Sequence, residues 1–353
     1  MKPVAINETL LTCNNSAGAL PVPTGHLNLY SSLVTQIRYA IALCLGLVFL
    51  LGITGNVLML LVLIDNLRNT SSSPISTMTS TFMANVTISD MIFLLYNVPV
   101  MLLSFTFKEW KLGSAVCISN QGTSTWTMFC SFYTMVATSM LRYLAVVHPQ
   151  WNLSSSKRQR FVLVTLMWLL SFLVSVPNWL SQEVVAIEGV TYCVFCMNKA
   201  QRFLYFILFG SVALLPALLL MVGCYWEIIR SLWCYHKNML HAQSRIHKNR
   251  KVTVNITIVV VVFVVMWIPY WVLTCLSAFH KLPQRLIVFV MSSLSTLLAY
   301  ANCCVSPLLY FVLSDQFRMG LWKLLKGQQR NSRPRQMYWI KTASTQTKNT
   351  AAS

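Results

Sequence analysis

Residues 257–276 read TIVVVVFVVMWIPYWVLTCL, and this stretch decides the fold class of the chain. It contains no charged residue. Roughly 20 apolar residues, at about 1.5 Å of rise each, are enough for a helix to span a bilayer. The stretch therefore predicts a membrane-spanning helix. A helix that only faced lipid would not need the Trp267 and Pro269 that this one carries.

The same apolar pattern recurs along the chain. Seven such stretches lie near residues 38–64, 75–103, 114–147, 158–180, 200–230, 248–278 and 284–313. The chain is 56% hydrophobic and 10% charged, whereas a soluble domain usually carries about 25% charged residues. We therefore predict an all-α membrane protein, with a seven-transmembrane helix bundle over residues 38–313.

Basic residues are distributed unevenly across this bundle. Eight of the 27 Lys and Arg residues fall on the side of the N-terminus, and the other 19 fall on the opposite side. Because basic loops stay in the cytoplasm, we predict an extracellular tail over 1–37 and a cytoplasmic basic tail over 327–353 in a multi-pass plasma-membrane protein. Contact with anionic membrane lipid explains the net charge of +19, so nucleic acid is not a predicted partner.

Two sequons in the N-terminal tail agree with this orientation. Asn7-Glu8-Thr9 and Asn14-Asn15-Ser16 are acceptor patterns for N-linked glycans, so we predict glycosylation at Asn7 and Asn14. The first 30 residues are polar and show no signal peptide. The first span is therefore expected to act as its own insertion signal.

Cysteines on the outer side offer a disulfide. Cys117 opens the third span, and Cys193 and Cys196 stand just before the fifth. A bridge from Cys117 to one of them would tie the third helix to the second outer loop. Residues 183–194 alternate around Gly189 like a hairpin, which favours Cys193. Pairing through Cys196, and free thiols, stay open as alternatives.

Asp90 is the only acidic residue at mid-membrane depth. A buried carboxylate needs hydrogen-bond partners, a cation or a proton. Four polar residues would converge on it if their helices are neighbours: Asn56, Ser131, Asn302 and Ser306. That oxygen-rich set would suit a sodium ion, and a water-bridged network that only fixes helix packing is the alternative. No other metal or cofactor is predicted.

Residues 314–326 predict a short amphipathic eighth helix. Its apolar side carries Phe317, Leu321, Leu324 and Leu325, against Arg318, Lys323 and Lys326. Such a helix lies in the membrane interface.

Within the sixth span, Trp267 stands two residues before Pro269. A large ring beside a proline kink can couple its rotamer to the bend of the helix, and a static bend is the alternative.

Taken together, these residues resemble a rhodopsin-like (class A) G-protein-coupled receptor of the peptide-receptor type. The resemblance covers residues 38–326. Its marks, in order, are Gly55-Asn56, Asp90, Trp110, Cys117, Arg142-Tyr143, Trp168, Pro216, Phe263, Trp267, Pro269, Pro307, Tyr310 and Phe317. Details such as Pro177-Asn178-Trp179 look most like the galanin-receptor-like branch and its orphan relatives.

The resemblance implies a receptor and not an enzyme. It implies that an extracellular ligand moves the sixth helix, and that the cytoplasmic face then engages heterotrimeric G proteins and arrestin. Arg142 and Tyr143 are the implied G-protein-coupling residues. The implied switch comprises Phe263, Trp267, Pro269, Ser306, Pro307 and Tyr310. The implied sodium site comprises Asp90, Ser131 and Asn302, with Asn56 in the same polar network.

The expected ligand pocket is aromatic and uncharged. Its face carries Gln121, Ser124, Met128, Tyr270, Trp271, Thr274, Thr296 and Tyr300. Amine receptors have Asp where this chain has Ser124, and opsins have a Lys in the seventh span that 284–313 lacks. The hairpin-like loop and a basic rim that includes Lys281 and Arg285 favour a peptide. A lipid or small anion, and a transporter function, are less favoured alternatives.

Three positions depart from the family pattern. Leu141 stands where an acid usually precedes the arginine, and Ser306 stands where Asn or Asp usually precedes the proline. Tyr225 falls one residue after the usual tyrosine position, on a rotated face. Because the acid normally holds Arg142 in the resting state, we hypothesise that Glu227 partly replaces it. The alternative is an atypical or constitutively active receptor with weak ligand-dependent coupling.

Overall fold

A computed structural model describes residues 27–68, 74–107, 109–148, 156–187, 189–236, 243–279, 286–313 and 315–325. The predicted glycosylation sites Asn7 and Asn14, the rim residues Lys281 and Arg285, and the basic tail over 327–353 lie outside this range.

Seven helices in the described part of the chain are long and apolar enough to cross a membrane. They are α1 (Leu27–Arg68), α2 (Pro74–Thr106), α3 (Gly113–Val147), α4 (Lys157–Leu180), α5, α6 (Gln243–Phe279) and α7 (Leu286–Leu313). α5 comprises Lys199–Leu208, a π-helical turn at Phe209–Leu214, and Leu215–His236. A short helix, α8, spans Asp315–Leu325. The predicted fold class is confirmed.

The start of α1 differs from the sequence-based boundary. The helix begins at Leu27, although the predicted tail reached residue 37. The prediction placed the boundary at Arg38 because this residue is charged. The helix nevertheless extends to the N-terminal side of Arg38, because the Arg38 side chain has a hydrogen-bond partner. Arg38 Nη1 donates to Phe107 O at 3.3 Å, at the end of α2.

α3 lies at the centre of the bundle, in contact with α2, α4, α5 and α6. Polar side chains join it to its neighbours. Trp168 Nε1 on α4 donates to Asn85 Oδ1 on α2 at 2.8 Å, and Asn85 Nδ2 donates to Thr134 Oγ1 on α3 at 2.7 Å. A bilayer core offers no water to these groups, so bonds between helices satisfy them.

A hairpin follows α4 at the end of the bundle that we call the outer end. It consists of β1 (Gln182–Ile187) and β2 (Val190–Phe195), antiparallel, with Val184 opposite Cys193. Gly189 in the turn has φ +81°, which glycine adopts without strain. The predicted hairpin is therefore present.

Two contacts fix the hairpin to the bundle. Cys193 forms the disulfide with Cys117 of α3, at a Cα–Cα distance of 5.7 Å. Trp110 N, in the loop before α3, donates to Thr191 O at 2.7 Å, and Thr191 Oγ1 donates to Trp110 O at 2.7 Å. The preferred pairing of Cys117 with Cys193 is confirmed.

α8 packs under the opposite end of the bundle, which we call the inner end. The Phe317 ring is buried against Tyr310 and Phe311 of α7, at centroid distances of 5.5 and 6.4 Å. Met319 and Trp322 are exposed on the other side. One side of this helix thus belongs to the core, and the other side is exposed.

Candidate functional site

An aromatic cluster joins α5 and α6 in the outer half of the bundle. The Trp271 ring lies 4.6 Å from Phe209 and 5.8 Å from Tyr270, measured between centroids. Tyr270 in turn lies 5.8 Å from Trp267, one helical turn deeper. Aromatic pairs at these separations add to the free energy of burial. The cluster therefore couples the outer end of α6 to Trp267.

Tyr300 forms the side of this region that belongs to α7. Its side chain is buried, and its hydroxyl hydrogen-bonds with Ser124 and Asn120 of α3. Its ring lies 4.7 Å from Phe93 of α2. The structure thus brings two predicted pocket residues, Ser124 and Tyr300, into contact.

Other predicted pocket residues are placed differently. Met128 lies deeper, in the cavity lined by Asp90 and Trp267. The hydroxyls of Thr274 and Thr296 donate to carbonyls of their own helices, at 2.8 and 2.9 Å. Gln121 is half-buried on α3.

Sequence reasoning missed a polar link between α3, α4 and α5. Tyr205 hydroxyl donates to Asn178 Oδ1 at 3.3 Å, and Asn178 Nδ2 donates to Thr125 Oγ1 at 2.6 Å. Tyr205 also packs against Phe195 of β2, 5.9 Å between ring centroids. An Asn directly after Pro177 was the available signal, but nothing in one sequence shows that α4 and α5 present these side chains to each other.

A cavity of ≈ 20 Å³ lies below Trp267, lined in part by Asp90, Ser131 and Asn302. Ser131 hydrogen-bonds with Asp90, whose Oδ2 is buried with no partner in the described part of the chain. The structure thus brings these three predicted residues together. The volume is enough for a water molecule or an ion of similar size.

Asn56 and Ser306 do not line this cavity. Asn56 Nδ2 donates to Gly52 O and Cys303 O, at 2.9 Å each, and so joins α1 to α7. Ser306 lines a second, mainly apolar cavity together with Tyr310, nearer the inner end. Of the four residues predicted to converge on Asp90, Ser131 and Asn302 line its cavity, and for Asn56 and Ser306 the convergence stays a prediction.

Two predicted switch residues of α6, Trp267 and Phe263, form a column of rings that faces α3. The Trp267 ring lies 6.3 Å from Phe263, and Phe263 stacks 6.2 Å from Phe132 of α3. Pro269 lies within α6 and Pro307 within α7. Each proline removes a backbone hydrogen bond of its helix, so both helices can bend near this column.

Arg142 lies at the inner end of α3. Its Nη2 donates to Thr79 Oγ1 of α2 at 3.0 Å. Glu227 does not contact it: Glu227 Oε1 lies 3.4 Å from Arg230 Nη1 on the same helix. The hypothesis that Glu227 replaces the missing acid is therefore wrong for this arrangement, because Glu227 has a partner three residues away that faces the same side of α5.

Tyr225 is also placed differently from its prediction. It is partly buried, and Ser139 Oγ of α3 donates to its hydroxyl at 3.1 Å. It hydrogen-bonds with Thr257 of α6 as well. The shift of one residue along α5 therefore does not turn this ring away from the bundle.

The second predicted coupling residue, Tyr143, follows Arg142 on α3. Its hydroxyl contacts His148 Nε2 at 3.1 Å.

Seven membrane-length helices with an aromatic cluster towards one end and a half-buried arginine at the other are typical of seven-helix membrane receptors. The comparison with known families agrees. The protein-family model described as 7 transmembrane receptor (rhodopsin family) matches residues 55–310 of this chain. The chain belongs to this family, and it is accordingly a multi-pass plasma-membrane receptor and not an enzyme.

Among similar proteins, galanin receptor 2a of Danio rerio is 31% identical over 317 residues, which cover 89% of this chain and 85% of the relative. Galanin receptor type 2 of Rattus norvegicus is 30% identical, with 81% and 76% covered. Somatostatin receptor type 1 of Rattus norvegicus is 30% identical, with 79% and 69% covered. The resemblance predicted from the sequence is confirmed.

Proposed function

We propose that this chain is a receptor for an extracellular peptide and that it activates heterotrimeric G proteins. In this proposal the N-terminus is extracellular, and the hairpin end of the bundle receives the peptide. Arrestin binds the inner end, and α8 lies on the inner leaflet. The excess of basic residues on the inner side supports this orientation.

The observation that carries the proposal is the uncharged aromatic cluster linked to an anchored hairpin. Phe195 of β2 packs on Tyr205, which packs 5.4 Å from Phe209 between centroids, and Phe209 packs on Trp271. Large rings on separate helices suit the apolar and aromatic side chains of a peptide. Relatives named for galanin and somatostatin, across four fifths of the chain, support the same ligand class.

Activation follows from differential affinity. A peptide that binds more tightly when α6 is displaced shifts the population toward that arrangement. Trp271 and Tyr270 belong to the same helix as Trp267 and Pro269, so a shift of the outer cluster is passed along α6 to the proline. Displacement of the inner end of α6 then exposes Arg142 to a G protein.

Trp271 provides the test of the outer site. We expect a peptide library that includes galanin and somatostatin to yield an agonist in a Gα dissociation assay. Trp271→Ala should weaken its potency at least about tenfold, since loss of a buried aromatic anchor costs about 2 kcal/mol or more. Val272→Ala is the matched control, because Val272 is the next residue of α6 and its side chain is 50% exposed.

Activation by a lipid or small organic anion, while no peptide in the library has an effect, would count against a peptide receptor. Equal loss of potency in Trp271→Ala and Val272→Ala at matched surface expression would count against the assigned site. Equal potency of Trp271→Ala and wild type would place the peptide elsewhere and contradict the site.

We also propose that sodium binds at Asp90 as an allosteric ligand. Asp90, Ser131 and Asn302 supply oxygen atoms to one small cavity, and oxygen is the donor that hard cations prefer. Trp267 lines the same cavity, so an ion there would hold the resting position of α6. Removing the carboxylate should remove the effect of the ion.

For the measurement, agonist affinity of the wild-type chain should fall when sodium chloride replaces choline chloride at equal ionic strength. Asp90→Asn should show the same affinity in both salts. Thr81→Val is the control, because Thr81 lies on α2 and does not line the cavity. A sodium effect that persists in Asp90→Asn would contradict the proposal.

A further inference from the structure

Arg142, at the inner end of α3, donates a hydrogen bond to Thr79 of α2, whose hydroxyl oxygen is a suitable acceptor. Thr79 is 5% exposed, and its Oγ1 donates to Ile75 O at 2.8 Å. Its hydroxyl hydrogen is therefore used within α2, and its oxygen accepts from Arg142 Nη2 at 3.0 Å. Because a guanidinium has donors and no acceptor, an acceptor of this kind is what Arg142 requires.

Leu141 completes the same interface on its apolar side. It is 6% exposed and packs in one cluster with Met78, Phe82 and Met167. Met78 directly precedes Thr79, just as Leu141 directly precedes the arginine. The contact between α2 and α3 thus has an apolar half and a polar half, and a carboxylate at position 141 would stand among apolar side chains.

An ionic restraint is absent from the part of the chain that the structure describes. Its ion pairs are Lys111 with Glu109 and Arg230 with Glu227, and neither involves Arg142. Within the same residues, Arg142 makes its hydrogen bond to Thr79, and its Nε is buried without a partner.

We propose that Thr79 is a positioning residue for Arg142, holding the guanidinium against α2 in the resting receptor in place of an acid at position 141. The proposal rests on the proposed G-protein function, and it concerns the restraint and not the ligand. A bond made in the resting arrangement and broken on activation biases the equilibrium toward rest. The restraint here is a neutral acceptor on α2.

Three variants separate this role from general packing. Thr79→Val keeps the shape and removes the acceptor, and loss of a hydrogen bond to a charged group corresponds to roughly a tenfold change in an equilibrium. Thr79→Ser keeps a hydroxyl and should restore most of the restraint. Thr81→Val is the matched control, because Thr81 Oγ1 donates to Thr77 O at 2.9 Å in the same helix.

The first readout is basal dissociation of a Gα panel in cells with equal surface levels of the full chain. We expect basal activity of Thr79→Val to rise roughly tenfold, with Thr79→Ser near wild type and Thr81→Val unchanged. If the wild-type chain activates a G protein and Thr79→Val has the same basal activity as Thr81→Val, the proposal is overturned.

The second readout is the thermal midpoint of the purified full chain in nanodiscs, as a double-mutant cycle with Arg142→Leu. Thr79→Val should lower the midpoint when Arg142 is present and leave it unchanged in the Arg142→Leu background. Additive effects would overturn the proposal. If no chain in the panel activates a G protein, the proposed function fails, and this cycle still decides the role of Thr79.

Discussion

At the scale of single residues, Gly122 sets how closely α4 approaches α3. A Cβ added at Gly122 would overlap the indole ring of Trp179. The indole has a fixed place, since Trp179 Nε1 donates to Ser175 Oγ at 3.1 Å. Small residues at such contacts let membrane helices pack closely, and here the ring occupies the space of the missing side chain.

Gly122→Ala should therefore destabilise the bundle by about 1–3 kcal/mol, as overpacking does in a filled core. Gly223→Ala is the control, because within the described residues no atom beyond its chain neighbours and the nearby backbone of α5 lies within 4 Å of its added Cβ. That change should be neutral or stabilise by up to about 1 kcal/mol, since Ala favours helix over Gly. The check is the thermal midpoint of each purified chain, and equal midpoints for the two variants would contradict the account.

Residues whose chemistry is out of place in lipid were predictable from the sequence. Asp90 and Arg142 belong to this group, because a charge in a membrane span needs a reason. Thr79 and Tyr205 were not predictable in the same way. Their residue types are common within spans, and their roles depend on which helix faces them.

At the scale of elements, the outer hairpin is held in place by bonds along its second strand, β2. Thr191 bonds with Trp110, and Cys193 is covalently joined to Cys117. Phe195 at the end of β2 reaches Tyr205 of α5. The hairpin therefore connects α3 to α5 across the region that we assign to the peptide.

Cys193→Ser should weaken both stability and peptide binding. Removing a native disulfide typically costs about 2–5 kcal/mol, and this one closes a sequence separation of 76 residues. Cys224→Ser is the control, because Cys224 is a free cysteine on α5, far along the chain from the hairpin. Thermal midpoints and agonist affinity should fall in the first variant only; unchanged values for Cys193→Ser would contradict the hairpin's role.

Helices and hairpin were largely predictable as elements. Apolar length fixes the existence of a membrane span, and Gly189 between alternating segments predicts a turn. The start of α1 at Leu27 was not predictable. The apolar segment begins after Arg38, whereas the helical backbone hydrogen bonds begin before it. The π-helical turn at Phe209–Leu214 was not either, since its sequence shows no distinct signal.

At the scale of the whole molecule, aromatic contacts run from the outer cluster to the middle of α3. They pass from Trp271 through Tyr270 and Trp267 to Phe263, and then to Phe132. α3 also carries Arg142 at its inner end. This path depends on which helices are neighbours of α3. A single sequence does not specify that arrangement, so the path could not be predicted from it.

The most direct test of the account measures G-protein dissociation on addition of the peptide library to wild-type and Arg142→Ala chains at equal surface levels. At least one peptide should activate a G protein through the wild-type chain. The same peptide should still bind Arg142→Ala, and its G-protein response should be lost. A response of equal size in both chains, or no response of the wild-type chain to any peptide, would contradict the central claim.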